Sequence, residues 1–206
     1  MAPTVPRGVL LGVLVAGLAA ETPAAPAARA PGQVPAPLPA GQQIAGAVLP
    51  LPAGMRGGAT VLGYDAGGKL ITLRKGTGDM ICLASDPRSP KFHAACYHSD
   101  MEPFMARGRA LRASGVTGGQ VDTVRFREVR EGTLAMPRNP SAMFQIFGEG
   151  YDPVKNEVDR PQALYVVYIP FATGRSTGLP EKPFERAPWV MFPGTPKAHI
   201  MFSPGM

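Results

Sequence analysis

The residue types that could do chemistry are concentrated in one short stretch. His93, Cys96 and His98 follow the spacing H-x2-C-x-H, which could suit a soft metal ion. The full set of candidate ligands is His93, His98, Asp100, Glu102 and the distant His199. Histidine and carboxylate ligands can hold zinc with one coordination position open. A disulfide at Cys96 would remove the thiolate, so the sequence assigns no metal site and metal binding remains an alternative.

His199 is the candidate general base of an enzyme, because imidazole has the side-chain pKa closest to neutral pH. Period-2 alternation in a strand predicted over residues 197–202 places it on the opposite face from both neighbours. The candidate catalytic residues of a hydrolase-type enzyme are His199, His98, Asp100 and Glu102. No G-x-S-x-G motif marks a nucleophile. The alternative is a hydrogen-bonded structural histidine, so enzymatic activity is left open.

No cofactor-binding residue is identified. The glycine turn at residues 76–78 lacks the strand, G-x-G-x-x-G and helix that bind a dinucleotide, and no G-K-[ST] follows it. We interpret it as a hairpin turn. A split barrel that binds flavin is a further alternative, based only on strands that precede helices.

The elements that must position these residues fall into two groups. Strands are predicted over residues 59–64, 69–74 and 80–84 as an antiparallel meander. After a proline-containing loop, a helix is predicted from Ser99 or Asp100, with Pro103 in its first turn and Gly115 at its end.

A second helix is predicted over residues 118–130, where Arg125, Arg127 and Arg130 give a basic surface. Later strands are predicted over residues 141–148, 163–171, 188–192 and 197–202. The predicted fold is α+β, with a mainly antiparallel sheet of about six or seven strands and two helices inserted after the third strand.

The N-terminus has the pattern of an exported protein. Residues 1–20 carry one arginine and then an apolar run, which is typical of a signal peptide cleaved after Ala20 or as late as Ala30. An uncleaved anchor is the alternative. Residues 21–42 are rich in alanine and proline and predict a flexible spacer, and residues 43–206 form the predicted single globular domain. We therefore expect a periplasmic or extracellular protein.

Export makes a disulfide the expected state of Cys82 and Cys96, the two cysteines of the chain. The bond would close a loop of about 15 residues and contribute on the order of 3 kcal/mol. We expect it to join the third strand to the start of the long helix.

The net charge of +6 is mildly basic and could help the protein adhere to an anionic envelope surface. Its lysines and arginines do not alternate with aromatic residues, so nucleic-acid binding is not predicted. After signal cleavage, nothing else in the sequence is long and apolar enough to span a bilayer.

Several motifs together resemble an uncharacterised family of exported bacterial proteins. They are the LRKGT of residues 73–77, Cys82, Cys96, the PWVM of residues 188–191 and the GTPKAHIM of residues 194–201. The resemblance implies export and a pair between the two cysteines. It brings no activity, so no catalytic role is transferred.

Three hypotheses about function follow. The first is a non-catalytic exported domain that binds a small molecule or an envelope component. The second is a hydrolase that uses His199 with the acids near the helix start. The third is a metal-binding protein.

Overall fold

The computed structural model describes residues 1–2 and 35–202. Nearly all of the predicted signal peptide and most of the predicted spacer lie outside the described residues. The first helix of the described part begins at Ala40, three residues before the predicted start of the domain.

The described chain contains ten strands and five α-helices. The strands are Thr60–Tyr64 (β1), Leu70–Arg74 (β2), Met80–Leu83 (β3), Phe92–His98 (β4), Ser141–Gly148 (β5), Gly150–Asp152 (β6), Glu157–Asp159 (β7), Gln162–Tyr168 (β8), Trp189–Met191 (β9) and His199–Phe202 (β10). The helices are Ala40–Ala47 (α1), Ala53–Arg56 (α2), Glu102–Ala113 (α3), Gln120–Arg130 (α4) and Gly174–Thr177 (α5).

Eight strands form one sheet in the order β2-β1-β3-β4-β5-β8-β10-β9, and β6 and β7 form a separate antiparallel ribbon. Neighbouring strands of the large sheet are antiparallel, apart from β1 and β3, which run parallel. The α+β class and the large, mostly antiparallel sheet are confirmed.

The predicted meander is wrong in its strand order, since β3 pairs with β1 rather than with β2. The burial of the strands explains the arrangement. Met80 and Cys82 of β3 are buried, whereas no residue of β2 is. The more apolar strand takes the inner position, and the more polar one becomes the edge.

The predicted strand count and helix placement are also wrong, because a strand at Phe92–His98 was missed. The two long helices follow this fourth strand rather than the third. The strand sits between β3 and β5 with residues 94–97 buried in succession. A strand covered on both faces loses the apolar–polar alternation that identifies strands in a sequence.

The disulfide between Cys82 and Cys96 is present, with an S–S distance of 2.06 Å. The two residues are directly opposite in the antiparallel pairing of β3 with β4, and both are fully buried. The bond therefore joins two neighbouring strands in the middle of the sheet. It does not join a strand to the start of a helix, as the sequence led us to expect, because Cys96 lies within a strand.

A separate core packs on each face of the sheet. The α1 core contains Ala47, Val48, Leu51, Ala59, Val61, Met80, Cys82, Ala84 and Cys96. The α3–α4 core contains Tyr97, Met101, Phe104, Val166 and Tyr168. Successive side chains of a strand point to opposite faces of the sheet, so Cys96 faces the α1 core and its neighbour Tyr97 faces the α3–α4 core.

Helix α3 has a proline in its first turn and a glycine after its end. Pro103 lies in the first turn of α3 with Glu102, and Gly115 follows the helix with φ of 90°. None of the described helices has the length and apolarity needed to cross a membrane.

Candidate functional site

A cavity of about 500 Å³ lies on the α3–α4 side of the sheet. Its floor is a row of side chains held in register across four strands. Tyr97 of β4 is opposite Met143 of β5, which is opposite Val166 of β8, which is opposite Met201 of β10. The remaining apolar lining comes from Leu83, Ala95, Phe104, Met105, Phe147, Leu164, Met191 and Phe192.

Two of the cations that line the cavity, Arg125 and Lys197, are bound by one carboxylate. Asp122 of α4 forms an ion pair with Arg125 one turn later, and its other oxygen lies 2.9 Å from Lys197 Nζ. Burial works against ionisation of Asp122, but hydrogen bonds from Lys197 and Arg125 outweigh it and lower the pKa of this carboxyl. The cluster therefore fixes α4 to the loop before β10.

Arg125 is the most deeply buried cation of this wall, with 4% of its surface exposed. Its Nη1 donates to the backbone carbonyl of Phe104 at 3.1 Å, and the guanidinium lies 3.8 Å from the centroid of the Phe104 ring. A Cβ at Gly108 would lie 2.8 Å from Arg125 Nη1. A glycine at this helix crossing thus leaves room for the guanidinium. The prediction that Arg125 belongs to a basic surface is wrong, because α4 turns this residue towards α3.

A second polar cluster joins the base of α3 to the sheet. Tyr97 donates to Glu102 at 2.5 Å, and Arg109 donates to Glu102 at 2.6 Å and to the Tyr97 oxygen at 2.8 Å. Burial raises the pKa of Tyr97, and the Glu102 carboxylate raises it further. Tyr97 therefore stays protonated, and the cluster holds Arg109 at the cavity wall.

His199 is 5% exposed and lines the cavity. Its Nδ1 lies 2.7 Å from the backbone carbonyl of Lys197. A carbonyl only accepts, so Nδ1 carries the proton and Nε2 is an acceptor. Burial is the main cause that lowers the pKa of His199 from its ordinary value of 6.5, and the Lys197 charge adds to the shift. The imidazole is therefore neutral at pH 7.

Two aromatic residues surround His199. The Tyr168 ring lies 4.9 Å from the imidazole, and burial raises the pKa of this phenol to about 12. The Phe192 ring lies 5.8 Å from the imidazole and 4.5 Å from Lys197 Nζ. Phe192 has φ of 55°, a left-handed conformation that side chains other than glycine rarely adopt. Such backbone strain clusters at functional positions.

The structure separates the sequence candidates for catalysis. His199 lines the cavity, whereas His98, Asp100 and Glu102 are not among the described residues that line it. His98 follows Tyr97 in β4 and so points to the opposite face, where its Nδ1 accepts from the Asp100 backbone at 3.3 Å. The acids near the helix start therefore do not meet His199.

The candidate metal ligands are also dispersed. His93 lies at the cavity edge, where its Nε2 is 3.0 Å from Gln145 Oε1 and its ring stacks on Phe147. Within residues 35–202, no three His, Cys, Asp or Glu side chains come together as metal ligands. Cys96 is held in the disulfide.

Sequence reasoning missed the polar lining residues Arg125, Lys197 and Tyr168, and Asp122, the carboxylate that binds two of them. One local signal was present, since Asp122 and Arg125 have the i, i+3 spacing of a helical ion pair. The partner Lys197 is 75 residues away from Asp122 in the chain, and only the fold shows that they meet.

Comparison with protein families, curated proteins and solved structures finds no match for this chain.

Proposed function

We propose that this domain binds a small organic anion with an apolar body, and that it does so outside the cytosol. The observation that carries the proposal is the composition of the cavity. Its floor is apolar, and four cationic side chains line it: Arg109, Arg112, Arg125 and Lys197.

The size of the cavity supports a small-molecule ligand. Pockets for such ligands usually have volumes of about 300–1,000 Å³ and are mostly apolar, with a few placed polar groups. Met143, Met191 and Met201 are part of the lining. Methionine side chains are flexible and polarisable, so they can adapt to an apolar body of variable shape.

The balance of charge supports an anion. The carboxylates in contact with the four cations are Asp122 and Glu102, which leaves an excess of two positive charges. The side chain of Arg112 makes no hydrogen bond or ion pair with another described residue, and a Cβ at Gly108 would lie 3.3 Å from its Nη1. A guanidinium without a partner in the protein can bind a carboxylate or phosphate in a bidentate manner.

The location outside the cytosol is the second part of the proposal. A disulfide fits an exported protein, because cytosolic thiols are kept reduced. The basic net charge would also favour contact with an anionic envelope.

A hydrolase remains the second candidate function, and it rests on His199. A neutral imidazole with its Nδ1–H fixed by a carbonyl could use Nε2 to activate water. Hydrolysis of p-nitrophenyl esters by the protein and by a His199→Gln variant would test this. Equal rates for the two proteins would remove the hypothesis.

The binding proposal can be tested through the single tryptophan of the chain. Trp189 is paired with Met201 in the register of β9 with β10, and Met201 lies on the cavity floor. The fluorescence of Trp189 should therefore respond to a ligand bound in the cavity. Octanoate carries both an apolar body and a charge, octanol only the body, and acetate only the charge. We expect octanoate to bind more tightly than either.

Arg112→Gln should weaken octanoate about tenfold, which corresponds to the loss of one charge-assisted contact. The matched control is Arg127→Gln on the exposed side of α4, where the arginine has 65% of its side-chain surface exposed. Equal affinity for octanoate and octanol, or equal effects of the two substitutions, would overturn the proposal.

A further inference from the structure

His199 and Tyr168 are two deeply buried polar residues on the cavity wall, and each has one polar atom without a hydrogen-bond partner. They are 5% and 6% exposed. Neither His199 Nε2 nor the Tyr168 hydroxyl has a hydrogen-bond partner within residues 35–202. The Nε of Arg125 also has no partner. It is the only side-chain nitrogen or oxygen of residues 35–202 that is both completely buried and without a hydrogen bond. The His199 and Tyr168 atoms therefore keep an open side, and both residues line the cavity.

The two atoms have complementary hydrogen-bonding capacity. The Lys197 carbonyl fixes the proton on His199 Nδ1, so Nε2 can only accept. The Tyr168 phenol can donate. The two rings are 4.9 Å apart between centroids and inclined at 46°. One small group that both donates and accepts could therefore satisfy both.

We infer that the ligand of this cavity is a hydroxylated organic anion, whose hydroxyl donates to His199 Nε2 and accepts from Tyr168. This inference rests on the proposed function. An ether or ester oxygen has no proton to donate to Nε2. An ammonium group could donate, but the excess of cations around the cavity would repel it.

The position of the pair indicates where the hydroxyl lies on the ligand. Lys197 precedes His199 by two residues, and its ammonium group sits over the Phe192 ring beside the imidazole. If the carboxylate bound by Arg112 also contacts Lys197, its nearest carbons would lie next to His199. The hydroxyl is therefore expected close to the carboxylate rather than at the far end of the apolar body.

The test compares 2-hydroxyoctanoate and 3-hydroxyoctanoate with octanoate on the full domain, again by Trp189 fluorescence. At least one hydroxy acid should bind about tenfold more tightly than octanoate, as expected for two added neutral hydrogen bonds. The corresponding methoxy acid, which can accept from Tyr168 but cannot donate to His199 Nε2, should lose much of the gain. If octanoate binds and none of the hydroxy acids binds more tightly, the inference fails while the proposed function stands. If no anion binds, the proposed function fails first.

Two further measurements test whether Tyr168 and His199 cause the preference for hydroxy acids over octanoate. The ratio of hydroxy-acid to octanoate affinity should fall to about three in Tyr168→Phe, because the hydrogen bond to His199 Nε2 remains. It should stay at the parent value in Tyr165→Phe, a matched control on the same strand that faces away from the cavity and is 40% exposed. An unchanged ratio in Tyr168→Phe would overturn the inference.

Lowering the pH of the parent protein gives the same test without a substitution. Protonation of His199 removes the acceptor, so the ratio should fall at acid pH. Lys197, Tyr168, Arg125 and Asp122 are the charged or titratable groups around His199. Because burial and Lys197 disfavour the imidazolium, the midpoint of the decline should lie below pH 6.5. A ratio that stays constant down to the acid limit of folding would contradict the assignment.

Discussion

On one side of the sheet, α1 closes over a core of apolar residues and a disulfide, whereas on the other side α3 and α4 cover a cavity with charged groups in its wall. The α1 core has Cys82, Cys96, Ala59 and Val61 at 0% exposure. The α3–α4 side instead includes buried Arg125 and His199 and two ion-paired clusters. Apolar packing and the disulfide stabilise the first side, while the second adds two ion-paired clusters to its apolar core.

The difference shows how one sheet can be rigid and still leave space for a ligand. A buried ion pair fixes geometry, but it contributes less net stability than an apolar contact of the same volume, because desolvation opposes it. The α3–α4 side should therefore be the less stable side and the more sensitive to charge and pH. The following predictions test that contrast, from the largest effect to the smallest.

Removing the disulfide should cause the largest loss of stability and leave anion binding nearly intact. The sequence separation of Cys82 and Cys96 is 14 residues, and opening such a loop should lower the free energy of unfolding by about 3–4 kcal/mol. Urea unfolding of the double alanine variant measures this. A loss below about 1 kcal/mol would contradict the predicted stabilisation by the disulfide. Loss of octanoate binding by the folded variant would show that the two sides of the sheet are not independent.

Asp122→Asn should be nearly as destabilising on the other side of the sheet. It leaves the guanidinium of Arg125 buried without its carboxylate. Because Asp122 itself is 24% exposed, we expect a loss near the lower end of the usual range, about 3 kcal/mol. Unlike the cysteine variant, it should also change octanoate binding, because it releases Lys197 from Asp122 and adds one to the excess positive charge around the cavity.

The control for this substitution is Glu131→Gln. Glu131 and Arg127 lie 4.0 Å apart and are both more than half exposed. Such a pair contributes little, so the change should stay within about 0.5 kcal/mol. If the two variants lost equal stability, the Asp122 cluster would have no special structural role.

The free energy of unfolding should also decrease as the pH is lowered, because of His199. The unfolded chain takes up a proton at this residue near pH 6.5, whereas the folded protein takes it up only at lower pH, since burial disfavours the charged form. This contribution is complete above pH 6.5 and is lost as the pH falls through the folded-state pKa. One proton allows a slope of at most about 1.4 kcal/mol per pH unit.

Urea unfolding at several pH values, compared between the parent and His199→Gln, isolates this contribution. The variant should have the flatter profile between pH 6.5 and the acid transition. Parallel profiles would mean that His199 is not protected from protonation in the folded protein.

The smallest effect concerns the backbone of Phe192. With φ of 55°, this residue should favour glycine over alanine by about 1 kcal/mol, the reverse of the usual order. The free energies of unfolding of Phe192→Gly and Phe192→Ala give this difference without the contribution of the lost ring. Alanine equal to or more stable than glycine would mean that the backbone is not strained here.

The sequence allowed prediction of the features that depend on local pattern. Pro103 and Gly115 mark the two ends of the first long helix correctly, and the paired cysteines are confirmed as a disulfide. Strand β4 could not be found in this way, because its run of buried residues has no alternation. The parallel pairing of β1 with β3 likewise depends on which strand is more apolar over its whole length, not on the turn between them.

The candidate site was less predictable than the fold. His199 was identified as a candidate because of its residue type, and it does line the cavity. The residues around it come from α4, β8 and β9, and their meeting depends on the register of distant strands. Arg125 shows the limit most clearly, since a basic residue in a basic helix gives no local indication that a glycine in another helix makes room for it.

The strand order has a consequence for how the protein is made. Strands β1 to β4 occupy one half of the large sheet, and β5, β8, β10 and β9 occupy the other half. Both thiols belong to the half nearer the N-terminus, and they are opposite each other there. In a chain exported N-terminus first, the disulfide can therefore form while the remaining chain is still crossing the membrane. The joined strands then offer the free edge of β4 as a template for the strands that follow.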